Sequence, residues 1–303
     1  MALLFLSTPE RAAVWAPMFK EAGEHLVVGE DAVSDPAEIT HLMCWVPPKD
    51  LQRYPNLKVV IGSGAGVDQM PRMPDGVALV RTVAPGIEEM VRDWVVMSTL
   101  MLHRGMPQYL KQADAGQWTG HDVPRARGTR VGIMGMGRIG TLAARTLSQM
   151  EFDVVGWSRS GRAVDDFVVY GNDGLDDFLA LSDILICLLP LTDETRGILN
   201  ADLFAKLPHG AHLVHAGRGA QLDMDAMKQA LDTGALTSAM LDVTNPEPLP
   251  DTHWAWGDPR VVITPHIAAN TDHAEGARHA LAVVRASREN ADLPGRVDQD
   301  RGY

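Results

Sequence analysis

The run V-G-I-M-G-M-G-R-I-G, Val131–Gly140, lies between an apolar strand-like stretch, Arg130–Met134, and an amphipathic helical one, Ile139–Met150. It carries G-x-G-x-x-G at Gly135, Gly137 and Gly140. In a strand–turn–helix of this kind the first glycine permits the tight turn. The second lets the backbone approach a pyrophosphate, and the third lets the helix pack closely on the strand. The helix beginning near Arg138 then points free N–H groups and its positive dipole end at the phosphates. A lone glycine triplet is a weak signal, and its bland reading is a structural turn. Between a strand and a helix it predicts a dinucleotide site formed by Gly135, Met136, Gly137, Arg138, Ile139 and Gly140.

Alternation of short apolar runs with amphipathic stretches on both sides of this motif predicts βαβ units and parallel sheets. In the first hundred residues the strands read as Ala2–Leu6, Leu26–Val28, His41–Val46, Leu57–Ile61 and Val77–Val80. Pro9–Ala22 reads as a helix, as does the stretch after Pro36. A glycine-rich turn, Gly62–Gly66, follows the fourth strand, and two helices are expected at Glu88–Arg104 and Pro107–Trp118. The second block predicts strands at Arg130–Met134, Val154–Trp157, Phe167–Val169, Ile184–Leu188, Ala211–Val214, Ser238–Leu241 and Val261–Ile263. An alanine-rich helix, Asp272–Asn290, closes the chain, and Asn245–Pro259 reads as a long loop dense in Pro, Trp and Asp. Loops of that length are often functional.

With 303 residues the chain is long enough for two domains, each with its own core. The net charge of −12 argues against nucleic acid and against anionic membrane surfaces as partners. The two cysteines, Cys44 and Cys187, sit inside apolar runs, which predicts buried free thiols and a reducing compartment rather than a disulfide framework or metal site. The apolar N-terminal stretch is too short for a signal h-region, and no run reaches the length of a membrane span. A soluble cytoplasmic protein is the expectation.

The residue about twenty positions beyond the glycines discriminates NAD from NADP. The second strand of the block ends in W-S-R-S, Trp157–Ser160, with no carboxylate at its tip. Ser158, Arg159 and Ser160 instead offer hydroxyl and guanidinium donors, and the planar arginine fork suits a 2′-phosphate. NADP(H) is therefore expected, with NAD(H) as the alternative and a solvated loop charge as the plain reading of Arg159.

Three polar features follow strands of the second block. H-A-G-R-G, His215–Gly219, carries Arg218. L-D-V-T-N-P-E-P-L-P, Leu241–Pro250, carries Asp242 and Glu247. T-P-H-I-A-A, Thr264–Ala269, carries His266. Ligands of open α/β sheets bind at the carboxyl ends of strands. A cation, a carboxylate and a histidine there suit reduction of a 2-oxo acid. Arg218 would hold the substrate carboxylate and carbonyl, His266 would protonate the developing alkoxide, and Glu247 would orient the imidazole and keep it charged. From spacing alone a histidine among 11 is more often a surface or satisfied residue.

Taken in order, G-M-G-R-I-G, H-A-G-R-G, L-D-V-x-x-x-E-P-L-P and T-P-H-I-A-A resemble the D-isomer-specific 2-hydroxyacid dehydrogenases, most nearly the glyoxylate/hydroxypyruvate reductase A group. The likeness extends to Cys44–Pro48, Ile61–Asp68, Trp157–Ser160 and Gly295–Tyr303, and so covers essentially the whole chain. The resemblance implies that Arg218, Glu247 and His266 are the catalytic triad and that Asp242 lies beside the nicotinamide with His266. It implies that N–H groups of Ser63, Gly64, Ala65 and Gly66 help hold the substrate carboxylate. Further cofactor contacts are implied at Leu189, Pro190 and Thr195, and at Ala216 and Gly217. His215 departs from the family, which usually has Asn there. Trp45 is either a wall of the substrate pocket or a core tryptophan, and Trp94 and Met90 read as packing a helix face.

Two doubly wound α/β domains are therefore expected. A Rossmann cofactor domain, about 98–268, is inserted into a flavodoxin-like substrate domain, about 1–97 plus 269–303. The partners expected are a small 2-oxo acid and a second copy of the chain in a homodimer, with no metal. The implied activity is NADPH-dependent reduction of glyoxylate and hydroxypyruvate. A dehydrogenase for another small acid, such as formate or phosphite, is one alternative. A dinucleotide-sensing interaction module, as in the C-terminal-binding co-repressors, is another.

Overall fold

The computed structural model describes residues 1–64 and 66–299. The described chain divides into two compact units, one of residues 1–87 with 271 onward, the other of residues 88–270.

The first unit runs β1 (Ala2–Leu6), α1 (Pro9–Glu21), β2 (His25–Val28), β3 (Ile39–Cys44), β4 (Val59–Gly62) and β5 (Ala78–Arg81). Its five strands are parallel, in the order β2-β1-β3-β4-β5. All six residues of β3 are buried, as a strand covered on both faces requires. The helix expected after Pro36 is a single 3-10 turn, Pro36–Glu38, capped by Asp35. The buried run beginning at Ile39 takes the next residues into the sheet and leaves no room for a helix. α1 starts where Thr8 Oγ1 accepts the N–H of Arg11, with Pro9 at its first position.

The second unit opens with α2 (Ile87–His103) and α3 (Met106–Asp114), followed by β6 (Arg130–Met134), α4 (Arg138–Gln149), β7 (Asp153–Trp157) and β8 (Val169–Tyr170). It continues with α5 (Leu175–Ala180), β9 (Ile184–Cys187), α6 (Ala201–Phe204), β10 (Ala211–His215), α7 (Met224–Thr233), β11 (Leu236–Leu241) and β12 (Val261–Ile263). Its parallel sheet has the order β12-β11-β10-β9-β6-β7-β8. β6 is flanked by β7 on one side and by β9 on the other, so the chain reverses its winding there. α8 (His273–Glu289) returns to the first unit, where Ala277, Ala280, Leu281 and Val284 pack with Phe5, Trp15 and Phe19.

Several boundaries differ from expectation. The first crossing falls at Ile87 rather than near Met97, because Val91, Trp94, Val95 and Val96 of α2 pack with Val131 and Ile133 of β6. The second falls after Asn270, close to the expected Ala268. α3 stops at Asp114, ahead of Gly116 at φ +63°, and Trp118 is fully exposed beyond it. β8 starts two residues late because Phe167 closes a turn onto the Val164 carbonyl.

Cys44 and Cys187 are buried free thiols, and burial pushes both up to about 12, so neither ionises at neutral pH. Among the described residues no helix is long and apolar enough to cross a membrane.

Three histidines, His41, His212 and His215, are held down to about 4, first of all by burial. A depressed folded-state value means that the unfolded chain takes up these protons first. Stability from neutral burial is therefore complete above about pH 6.5 and is lost progressively as pH falls toward about 4. Melting temperature should drop across that window, and His212→Gln should make the fall shallower. A melting temperature constant from pH 6.5 to 4 would contradict this.

Candidate active site

Because both sheets are parallel, every strand of the second unit delivers its following loop to one edge. The glycine turn follows β6, Leu189 and Pro190 follow β9, Arg218 follows β10, Asp242 follows β11 and His266 follows β12. The turn after β6 lies where the strand order reverses, the position at which doubly wound sheets bind ligands.

The dinucleotide turn has the expected division of labour. Gly135 has φ +107°, and a Cβ there would come within 2.9 Å of the Leu188 carbonyl. A Cβ on Gly140 would collide with the Gly135 carbonyl, which is the close helix-on-strand approach the third glycine permits. At Gly137 a Cβ would meet nothing within 4 Å, so this glycine opens onto free space. Gly137 caps α4 without any side-chain hydrogen bond, so the first N–H groups of that helix have no side-chain acceptor. An uncapped helix end beside an open glycine cradle fits a pyrophosphate.

Around this turn the predicted cofactor residues divide. Met136 is buried and packs on Gly156, where any Cβ would collide with it. Ile139 lies in the first turn of α4. The Arg138 guanidinium pairs with Glu88 at 2.8 Å. Trp157 is buried, its indole N–H donates to Gly171 at 3.1 Å, and its carbonyl accepts the Gly135 N–H. Ser158 and Ser160 follow it, and Arg159 is exposed in an ion pair with Glu194 at 2.5 Å. The Thr195 hydroxyl donates to the Pro190 carbonyl at 2.7 Å and accepts the Thr192 N–H at 2.8 Å, which closes the turn after β9. Ala216 extends β10 by donating to the Cys187 carbonyl, and Gly217 is buried beside Arg218.

Glu247 Oε2 meets His266 Nδ1 at 2.8 Å, and Glu247 Oε1 accepts the Thr244 N–H at 3.1 Å. The hydrogen bond that His266 donates to the Glu247 carboxylate raises the His266 value above the ordinary imidazole range, against the opposing effect of burial. Burial pushes the Glu247 carboxyl up, but the His266 and Thr244 hydrogen bonds with the nearby positive charges outweigh it and leave it lowered. The Arg218 charge acts on both Glu247 and His266, so the three predicted residues form one electrostatic group. Arg218 Nη1 donates to the Gly217 carbonyl at 2.8 Å.

Asp242 has a structural task that its position in the sequence did not reveal. The residue is 2% exposed. Oδ1 accepts the Thr264 hydroxyl at 2.6 Å and the Ile267 N–H at 2.8 Å, and Oδ2 accepts the Ala268 N–H at 2.8 Å. The Asp242 carbonyl also accepts the His266 N–H at 2.9 Å, in a turn where His266 holds φ +53°. Trp94 joins the same network by donating its indole N–H to Thr264 Oγ1 at 3.1 Å. A strand-end aspartate, with T-P-H after the next strand, is the sequence signal for this role.

The glycine-rich turn after β4 belongs to the first unit. Ser63 donates its N–H to the Cys44 carbonyl at 2.9 Å, continuing the β3–β4 pairing, so that N–H is not available to a substrate. Ala65 lies outside the described residues. Trp45 is 48% exposed, which removes the core-tryptophan reading. Its ring lies over Gly64, where a Cβ would come within 3.1 Å. A groove of about 740 Å³ elsewhere, lined by Val96, Met97, Leu100, Met101, Met106 and Tyr109, belongs to α2 and α3 and includes none of these polar groups. Among the described residues no cluster of three or more His, Cys, Asp or Glu is placed to hold a metal ion.

A doubly wound sheet with a glycine turn at its reversal and Arg, Glu and His at neighbouring strand ends defines a nicotinamide-dependent oxidoreductase. Residues 96–268 match the family model for the D-isomer specific 2-hydroxyacid dehydrogenase, NAD binding domain. The chain belongs to the D-isomer-specific 2-hydroxyacid dehydrogenase family. It is 33% identical over 314 aligned positions to a glyoxylate/hydroxypyruvate reductase A of Salmonella paratyphi B, with both chains covered in full. The NADPH-dependent glyoxylate/hydroxypyruvate reductase of Sinorhizobium meliloti, solved with NADP and sulfate, is 36% identical at a TM-score of 0.91, with 100% of each chain covered. A D-isomer specific 2-hydroxyacid dehydrogenase from Xanthobacter autotrophicus, solved with NADPH and MES, is 34% identical at a TM-score of 0.91, covering 100% of this chain and 99% of that one.

Asp242→Asn removes one acceptor and turns an NH₂ group toward a main-chain N–H. Leaving such groups unmatched in a buried site costs about 1–3 kcal/mol each. The variant should lose stability on that scale in urea titration. It should also lose turnover beyond what the stability change explains, since the His266 segment hangs on this carboxylate. Unchanged stability would remove Asp242 from its anchoring role.

Proposed function

We propose that this protein reduces small 2-oxo acids such as glyoxylate and hydroxypyruvate to D-2-hydroxy acids with NADPH. The observation that carries this reading is the His266–Glu247 pair at 2.8 Å, with the Arg218 charge acting on both partners. The NADP-bound relatives support the choice of cofactor.

A bound NADPH supplies the hydride. Gly135–Gly140 and the uncapped start of α4 hold its pyrophosphate. Arg159, with Ser158 and Ser160, holds the 2′-phosphate. The exposed Arg159–Glu194 pair that must open is the kind worth about 0.2–1 kcal/mol, which a bidentate phosphate contact exceeds. Arg218 binds the substrate carboxylate and polarises its carbonyl. His266, its Nδ1 engaged by Glu247, delivers a proton from Nε2 to the carbonyl oxygen as charge develops there. Glu247 keeps the imidazole charged and oriented. Gly64 and Gly66 are proposed as N–H donors to the carboxylate, Trp45 as a wall of the acid site, and a homodimer as the assembly.

Steady-state kinetics with matched acids and amides test the proposal. Glyoxylate and hydroxypyruvate should be turned over, while the corresponding uncharged amides should not. NADPH should be preferred to NADH mainly through KM, and Arg159→Asp should reverse or abolish that preference. Arg218→Lys should be severely impaired because an ammonium cannot reproduce the planar fork. Equal turnover of an acid and its amide would take Arg218 out of the substrate site.

His266→Ala should lower reduction by roughly two or more orders of magnitude, the usual contribution of a general acid, with NADPH affinity retained. The raised His266 value means that the proton is held to higher pH in the wild type, and reduction falls off as pH rises through it. Glu247→Gln removes the main cause of that rise, so its activity limb should move to lower pH. A limb that stays in place would remove Glu247 as the partner.

A further inference from the structure

Two side chains with no exposure at all, Gln221 and His215, hold the main chain of Arg218. Gln221 Oε1 accepts the Arg218 N–H at 2.7 Å. Its Nε2 donates to the carbonyls of Leu189 at 3.2 Å and Pro190 at 3.0 Å in the turn after β9. On the other side, the Arg218 carbonyl accepts from His215 Nε2 and from the Gln221 N–H, both at 3.0 Å. Gln221 is itself anchored, since its carbonyl accepts the Leu199 N–H at 2.9 Å.

Only one orientation of this amide satisfies the site. Its oxygen faces an N–H and its nitrogen faces two carbonyls, so a flipped amide would oppose like groups on both sides. Gly217 closes the turn around it: a Cβ there would collide with Gln221 Oε1 and come within 3.0 Å of the Leu189 carbonyl. Both peptide groups of Arg218 are thus fixed by buried, neutral polar side chains, and one of these also grips the neighbouring strand's loop. A placement error of about 1 Å in a binding group can cost about a hundredfold in rate. A flexible guanidinium gains that accuracy only if the backbone beneath it is fixed.

We propose that Gln221 is a positioning residue for Arg218, tying its main chain to the Leu189–Pro190 turn and so setting where the guanidinium meets the substrate carboxylate. This rests on the reading of Arg218 as the substrate-binding cation. The titratable side chains bonded to this piece of main chain are His215 and Arg218 itself.

The test uses the full chain with NADPH and glyoxylate. Gln221→Leu preserves bulk but removes both polar functions, and should lower kcat/KM for the acid tenfold or more while circular dichroism stays native. Gln221→Glu supplies the decisive readout. As a neutral acid it keeps a carbonyl for the Arg218 N–H and an O–H for Pro190. Ionised, it has no donor and sets an anion against two carbonyls, which with burial raises its pKa. Its activity relative to wild type at the same pH should therefore rise several-fold between pH 8 and 6, a change that mere loss of packing does not produce. A constant ratio across that range overturns the proposal, and so does a folded Gln221→Leu within twofold of wild type. If Gln221→Leu does not fold, the Gln221→Glu ratio decides alone. Arg218→Lys, measured alongside, separates the two readings. Its loss of activity beside a constant Gln221→Glu ratio overturns only the positioning role. Near-wild-type activity in Arg218→Lys overturns the substrate reading and the positioning role with it.

Discussion

The carboxylate of Asp242 is taken out of water at the end of β11, where three donors converge on it. An isolated buried carboxylate is strongly unfavourable, whereas hydrogen bonds to a charged group contribute about 1.5–3 kcal/mol each. The donors are Thr264, Ile267 and Ala268, which bracket His266. The imidazole is therefore carried on a segment wrapped around a fixed anion, and its partner Glu247 comes from the loop that leaves the same strand end. Through Thr264 the network also takes in Trp94, so the first long helix of the unit is tied to the segment that bears His266.

A comparable arrangement exists one strand away. The main chain of Arg218 is held on both sides, its N–H by Gln221 and its carbonyl by His215. His215, where the family usually has Asn, turns inward to the Arg218 carbonyl and is fully buried. Arg218 and His266 thus both sit on main chain held by buried polar side chains, Gln221 and His215 for one and Asp242 for the other, whose hydrogen bonds an apolar substitute cannot make. Anchoring of this kind preorganises the half-buried Arg218 and His266 side chains, and preorganised groups need not rearrange as charge develops.

The glycine turn serves both stability and ligand binding by dividing the two tasks among its residues. Gly135 and Gly140 are required by the fold itself, because side chains there would strike the Leu188 and Gly135 carbonyls. At Gly137 a Cβ would meet nothing within 4 Å among the described residues, which leaves an open cradle fit for a ligand. Met136, within the motif, belongs to the core and packs against Gly156.

The amino-acid sequence made legible the two parallel α/β blocks, the dinucleotide turn and the order of the polar groups along the chain. Strand alternation, glycine spacing and charged residues after apolar runs are local signals, and parallel pairing then takes every loop that follows a strand of a unit to one edge. It misplaced elements where a neighbour decided: the helix after Pro36 gave way to the buried strand at Ile39, and α2 joined the second unit because its apolar face packs on β6. Only the tertiary structure showed that the Ser63 N–H is taken by Cys44, that Trp45 lies exposed over Gly64, and that Asp242, Gln221 and His215 are anchors. Those roles depend on contacts between residues far apart in sequence, such as Gln221 with Leu189, 32 positions away. Composition and periodicity encode which residues are buried, but which donor meets which acceptor is fixed only when the strands are in register.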